Sequence, residues 1–411
     1  MTADQAIAPN TIDADVKSWS VELPTLIVIG CVLFNFFLCF ANTEGINISG
    51  AHVILSELTL VGIASLYAFF RLDKANWYWL LIIAAQVVLM SVLSVLRDDI
   101  LFKPLRDVLI MPVFIALGLS SAKIDFTKPL LWLSAFIGLV ALFEAFFLKS
   151  YTGLFNIKEF FIAKGYDASA FQYTEGDVFV SGIRPAGRFF PLPFEIHRIS
   201  SVFLEPVSLG FFAFISGLYF VAMKDRLPRG QVLVAAFVTI LLIWLGDARM
   251  AFASLVAVIA FSPVFARLDH RLTVLIFPAA LLFGLFVVES GMFNLTGEGL
   301  GARLLWTFQG IWSTNDAQFF GVRPYDVAMV DSGFLYMMSC QGILGFLLYW
   351  LPPIFFKNKF SKEARIYWFG ASIFLTSGFM VSDAIYTIKT AALLWFCYGY
   401  ILARTEKEEE T

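Results

Sequence analysis

The chain reads as an all-α, polytopic integral membrane protein of about twelve transmembrane helices with two long outer loops. Three observations carry that reading. Of 411 residues, 59% are hydrophobic and only 15% are charged, with a mean hydropathy of +0.79, which leaves too little charge to cover a soluble surface. The apolar residues are gathered into blocks near the roughly 20 residues a helix needs to cross the hydrocarbon. Successive connections alternate between rich and poor in Lys and Arg, as orientation in a bilayer requires.

In chain order the blocks are Pro24–Ala41, His52–Phe70, Trp77–Leu96, Asp107–Ser120, Pro129–Leu148, Pro206–Met223, Gln231–Gly246, Met250–Ala266, Leu272–Val288, Gly333–Leu351, Ile366–Tyr386 and Thr390–Ala403. Each is expected to be a helix, because lipid offers no partner to a bare backbone donor or acceptor. The block at 107–120 is the weakest. Residues 23–403 form one membrane domain, with loops at about 149–205 and 289–332. The stretch 1–22 carries Asp4, Asp13 and Asp15 and lacks the basic start of a secretory signal, so it is expected to be a cytoplasmic tail, as is 404–411.

With the N-terminus inside, the inner connections hold Arg71, Lys74, Lys123, Lys128, Lys224, Arg226, Arg229, Arg267, Arg271, Lys357, Lys359, Lys362 and Arg365. The short outer connections hold few cations: none over 42–50, Arg249 at the seventh helix, Lys389 after the eleventh. Both termini are therefore expected to be cytoplasmic. The 97–106 connection, with Arg97, Lys103 and Arg106, breaks the pattern. Cys31, Cys39, Cys340 and Cys397 all sit in apolar blocks, without metal spacing. Neither a Walker lysine motif nor a Rossmann glycine fingerprint occurs, so no nucleotide, cofactor, metal or nucleic acid is expected.

The first long loop opens with GLFNIKEFFIAK, an amphipathic stretch suited to the membrane surface. It continues through VSGIRPAGRFFPLPFEIHRISSVFLEP, which carries Arg184, Arg188, His197, Arg198 and Glu205. Its prolines restrict the chain, and Pro206 suits a first helical position with Glu205 as the cap. A kinked helix from about Ile199 is the alternative. In the second loop, GARLLWTFQGIWST places Leu304, Leu305, Phe308, Ile311 and Trp312 on one stripe and Arg303, Thr307, Gly310 and Thr314 on the other. That describes an interfacial helix presenting an arginine. Asp331 and Ser332 close this loop, and Asp247 and Arg249 occupy the short LGDARMAF turn.

Glu57, Glu144, Asp247 and Asp383 lie toward the outer ends of their blocks, level with Glu205. Charge is costly at the bilayer centre, so such residues face a wet or protein-lined cavity. Arginines at that depth suit a phosphate or diphosphate, whose oxygens the guanidinium fork binds in pairs. Transfer of a sugar from a lipid-linked diphosphate needs its leaving group stabilised, which arginines do without a metal. It also needs a base, a carboxylate or His197. Each residue has a structural alternative: Arg249 pairing with Asp247, Glu205 or Asp331 capping a helix, Arg184 and Arg188 anchoring at headgroups, and Glu57, Glu144 and Asp383 packing between helices.

RISSVFLEPVSLGFF, the DAR turn before MAFASLVAVIAF, GARLLWTF and VDSGFLYMMSCQGILGFLLYWL follow one another in an order that resembles the bacterial O-antigen and exopolysaccharide polymerases, of the O-antigen ligase superfamily. The resemblance covers residues 180–352. It implies transfer of a growing glycan from undecaprenyl diphosphate onto the next lipid-linked repeat at the periplasmic face of the inner membrane. It implies Glu205, Arg198, Arg249 and Arg303 as catalytic residues. Arg184, Arg188, His197, Asp247 and Asp331 would contact the substrate, and a chain-length regulator is a candidate partner. The histidine typical of ligases near the end of the second loop is replaced by Val330-Asp331-Ser332, which favours polymerase. Ligase and lipid-linked oligosaccharide flippase are the alternatives. Flippases and other transporters bind substrates near mid-membrane between repeats, whereas the long loops here share one side.

Overall fold

The computed structural model describes residues 22–71, 74–100, 102–167, 178–183, 187–191, 196–291, 299–323 and 332–409. Arg184 and Asp331 lie outside them. The described residues are helical throughout, without a strand: α1 (Leu23–Thr43), α2 (Gly50–Phe70), α3 (Lys74–Arg97), α4 (Phe102–Leu119), α5 (Thr127–Phe146), α6 (Leu148–Leu154), α7 (Ile157–Ala163), α8 (Pro206–Met223), α9 (Arg229–Leu245), α10 (Arg249–Phe265), α11 (Ile276–Ser290), α12 (Leu300–Trp312), α13 (Asp316–Phe319), α14 (Gly333–Phe355), α15 (Lys362–Val381) and α16 (Ile388–Glu409). Seven of these, with their flanking turns, are long and apolar enough to cross a membrane. Exposed apolar side chains such as Leu55, Leu81, Val95, Phe237 and Leu282 are what lipid solvation of a helical membrane protein requires.

The weak block at 107–120 turns out to be central. Along α4, Ile110, Met111, Phe114, Ile115 and Leu117 have no exposed surface. Its partner is α16. A Cβ on Gly118 would strike the Phe396 carbonyl, and one on Gly399 the Ile115 carbonyl. This is close backbone approach through small residues, the device that joins helices where lipid removes the hydrophobic drive.

Local chemistry sets several boundaries. Pro206 occupies the first turn of α8 and Glu205 the cap position. The alternative helix from Ile199 does not form: Ser201 and Leu204 both take positive φ, 51° and 63°, which interrupts a helix. The Ile366–Tyr386 block is shorter than read. α15 ends at Val381, Ser382 is extended, and Asp383–Tyr386 form a separate 3-10 turn. α14 breaks at Gly342, whose φ is 63° and ψ is −169°. The break admits the chain itself: Gly321 packs backbone to backbone against Gly342, and Arg97 donates to the carbonyls of Gly321 and Ser339.

Candidate functional site

Helix ends leave carbonyls without partners, and the loop arginines fill that need first. α9 ends on a turn where Asp247 takes a left-handed φ of 47°. Arg188 donates to the carbonyls of Trp244 at 2.6 Å and Leu245 at 2.9 Å, and to that of His197 at 2.7 Å. Arg198 donates to the carbonyls of Gly246 at 3.1 Å and Ser181 at 3.0 Å. The buried Asp247 carboxylate returns the favour by accepting the amides of Phe189 and Phe190 at 2.9 and 3.0 Å. Arg188, Arg198 and Asp247 thus fasten the first long loop to this turn, with the positive charge at a helix C-terminus, where the backbone dipole favours it. Arg249 follows on the same turn with its side chain 44% exposed, 3.5 Å from Asp247 and over the Phe189 ring.

The same device recurs at the end of α15. The carbonyls of Phe379, Met380 and Val381 accept from Ser332 Oγ, Thr307 Oγ1 and Arg303 Nη1 at 2.9, 2.8 and 3.1 Å. The sequence reads Arg303, Thr307, Gly310 and Thr314 as the polar stripe of an interfacial helix that presents an arginine. Arg303, Thr307 and Gly310 face α15 and Leu335 instead, while Trp306 and Trp312 are exposed. The hydroxyl and guanidinium of this stripe satisfy carbonyls at the end of α15 that have no intrahelical partner.

Two further polar knots hold the loops. Glu144, fully buried in the last turn of α5, accepts from the Ser200 amide and hydroxyl, the Ser201 amide and His197 Nε2, the last at 2.8 Å. His197 is therefore tied to Glu144, and its side chain is only 9% exposed. On α4, Arg106 is paired with Glu57 of α2 and with Asp107, which also accepts from Tyr336 of α14 at 2.6 Å.

Glu205 stands among cations. Its carboxylate is paired with Lys389, from the first turn of α16, and accepts from Ser208 Oγ at 2.5 Å. Burial pushes its pKa up, but Lys389, Ser208 and Lys164 pull harder and hold it below the ordinary carboxylate range. Lys164, just past α7, lies 5.0 Å from the Phe161 ring. Burial, and then the neighbouring cations Lys389, Arg106 and Lys103, outweigh the attraction of Glu205 and bring its ammonium down to about 8. Lys103 is exposed beside Tyr336. Neither Lys103 nor Lys164 has a carboxylate partner among the described residues.

The structure therefore brings Arg188, His197, Arg198, Asp247 and Arg249 together around one turn, puts Arg303 at the end of α15, and sets Glu205 among lysines that motif reading did not select. A signal for two of those lysines existed: Lys389 stands alone in a cation-poor connection, and Lys103 belongs to the 97–106 connection that breaks the positive-inside pattern. Among the described residues no group of three His, Cys, Asp or Glu side chains could hold a metal. No family model, curated protein or solved structure matches the chain.

Proposed function

We propose that the protein is a polysaccharide polymerase of the inner membrane, crossing it twelve times with both termini cytoplasmic. It transfers a growing glycan from undecaprenyl diphosphate onto a lipid-linked repeat unit at the periplasmic face. The observation that carries this reading is Glu205, a carboxylate at the N-terminal cap of α8 faced by Lys389 and Lys164. A carboxylate beside a surplus of cations is what sugar transfer from a diphosphate needs: an acceptor for the hydroxyl proton and positive charge for the leaving group. In this scheme the acceptor oxygen bonds to the donor's anomeric carbon. The bond from that carbon to phosphate breaks, its electron pair leaves with the lipid diphosphate, and the proton passes to Glu205.

Arg249, half exposed at its turn, reaches the substrate. Arg198 and Arg303 are positioning residues that hold the loops by helix-end carbonyls. His197, buried against Glu144, is not the base. The test is polymerisation of a synthetic lipid-linked repeat by the purified full-length protein. A ladder of products is expected. Arg249→Lys should cut its yield by about 10²-fold, because lysine lacks the bidentate fork, while folded protein stays at the normal level. Absence of a ladder, together with translocation of the lipid-linked repeat across a vesicle membrane, would overturn the reading in favour of a flippase.

A further inference from the structure

We propose that Lys389 and Lys164, with Lys103 beside them, form the seat of the donor's diphosphate, and that Lys389 transfers from Glu205 to phosphate as the donor binds, freeing Glu205 to act as base. This inference rests on the polymerase reading and names the residues that make the site respond to its substrate.

The first argument is charge balance. Among the described residues, Lys103, Arg106, Lys164 and Lys389 share one neighbourhood, in which Glu57, Asp107 and Glu205 take the ion pairs and Asp383 stands on the Tyr166 side. Arg106 is taken by Glu57 and Asp107, and Lys389 by Glu205, whereas neither Lys164 nor Lys103 forms an ion pair with a carboxylate among the described residues. Lys164 is half-buried, where positive charge is unfavourable, and an incoming anion relieves it. A diphosphate diester fits, because it stays ionised at every pH where the lysines are charged.

The second argument concerns Glu205. In the empty protein its carboxylate is occupied by Lys389 and Ser208 Oγ, the arrangement least suited to taking a proton. Lys389 is itself only 6% exposed and needs an anion wherever it points. Without substrate, Glu205 serves that need. A diphosphate drawn in by Lys164 and Lys103 offers Lys389 a stronger partner on the same side. Once Lys389 turns to it, Glu205 loses its main stabilising cation and gains an anionic neighbour, both of which favour its protonated form. The base thus becomes competent when the leaving group is in place. Lys389 is a positioning residue toward Glu205 and a binding residue toward phosphate.

Two measurements on the full-length protein in nanodiscs test this. The first is binding, by calorimetry, with farnesyl diphosphate, inorganic pyrophosphate and phosphatidylglycerol as probes; it needs no polymerase activity. Farnesyl diphosphate is expected to bind, and Lys164→Gln and Lys389→Gln are each expected to weaken it about tenfold or more. Lys389→Arg, which keeps the charge and the fold, should retain binding. Equal binding of inorganic pyrophosphate would support the seat and assign its selectivity to the diphosphate. Unchanged affinity in both glutamine variants, or equally strong competition by phosphatidylglycerol, would overturn the seat. The second is the pH profile of polymerisation. The acid limb of kcat, set by the donor-bound protein, should lie at higher pH than the acid limb of kcat/KM, set by the free protein. Coincident limbs would overturn the exchange while leaving the polymerase reading standing.

Discussion

Where α5, α9 and α15 end and α4, α8 and α16 begin, ionic side chains are buried: Arg106 is 8% exposed, Asp107 3% and Glu144 0%. At the opposite end of the bundle, Lys362 and Asp225 pair with side chains each 52% exposed, and Lys128 and Asp125 with 59% and 54%. These two pairs are exposed, and such pairs contribute about 0–1 kcal/mol, although Arg226–Glu363 at the same end is more buried, with side chains 27% and 11% exposed. The buried set has a different logic. Removing charges from water is expensive, and apolar residues of similar volume would often stabilise a fold as well or better. Charges kept at the first end despite that penalty are the ones on which the proposed site is built. Within it there is a second contrast. Arg188, Arg198, Arg303 and Glu144 are spent on backbone groups, and Glu205, Lys389, Lys164 and Arg249 are not. The first group builds the loops, and the second pairs through side chains, Glu205 with Lys389 and Arg249 with Asp247.

The largest expected effect is on stability at the buried end. Arg106→Leu leaves Glu57 and Asp107 without their cation, and breaking a buried pair in this way destabilises by about 3–5 kcal/mol. Thermal unfolding in detergent should show a large drop in midpoint; a wild-type midpoint would mean that the triad is not a structural knot.

A smaller effect concerns pH. Lys164, faced by Lys389, Arg106, Lys103 and Glu205 and by the rings of Phe160 and Phe161, has its ammonium lowered to about 8. Anion binding is strongest with the charged form, so affinity is full below that pH and falls as pH rises through it, toward the level of the Lys164→Gln variant. Farnesyl diphosphate titrations between pH 7 and pH 10 (a window of about these limits) check the slope, and Lys164→Arg should abolish it within that range. A slope unchanged in the arginine variant would place the titrating group elsewhere.

The smallest effect belongs to the exposed end. Lys362→Ala removes only the pair with Asp225 and should shift stability by less than about 1 kcal/mol. A loss comparable to that of Arg106→Leu would erase the distinction between the two ends.

The sequence by itself determined that the chain is a helical membrane protein and where most helices lie, because apolar length and backbone satisfaction in lipid are local requirements. It also determined the start of α8, where Pro206 follows Glu205, and the turn at Asp247 and Arg249. The interfacial helix was legible as a helix but not in its rotation. The stripe of Arg303 and Thr307 turns inward because the α15 carbonyls it satisfies arrive from a segment some 70 residues later in the chain (78 for the Arg303 bond). His197 and Arg198 were legible as polar residues of a fixed loop, whereas their partners Glu144 and Gly246 are set by how three helices end side by side. Only the tertiary structure could bring Lys389 to Glu205, which are 184 residues apart, and Lys164 to both. Long-range ion pairs leave no periodic trace in a sequence. They are decided by which helix ends the packing of α4 against α16 and of α8 beside them brings to one surface.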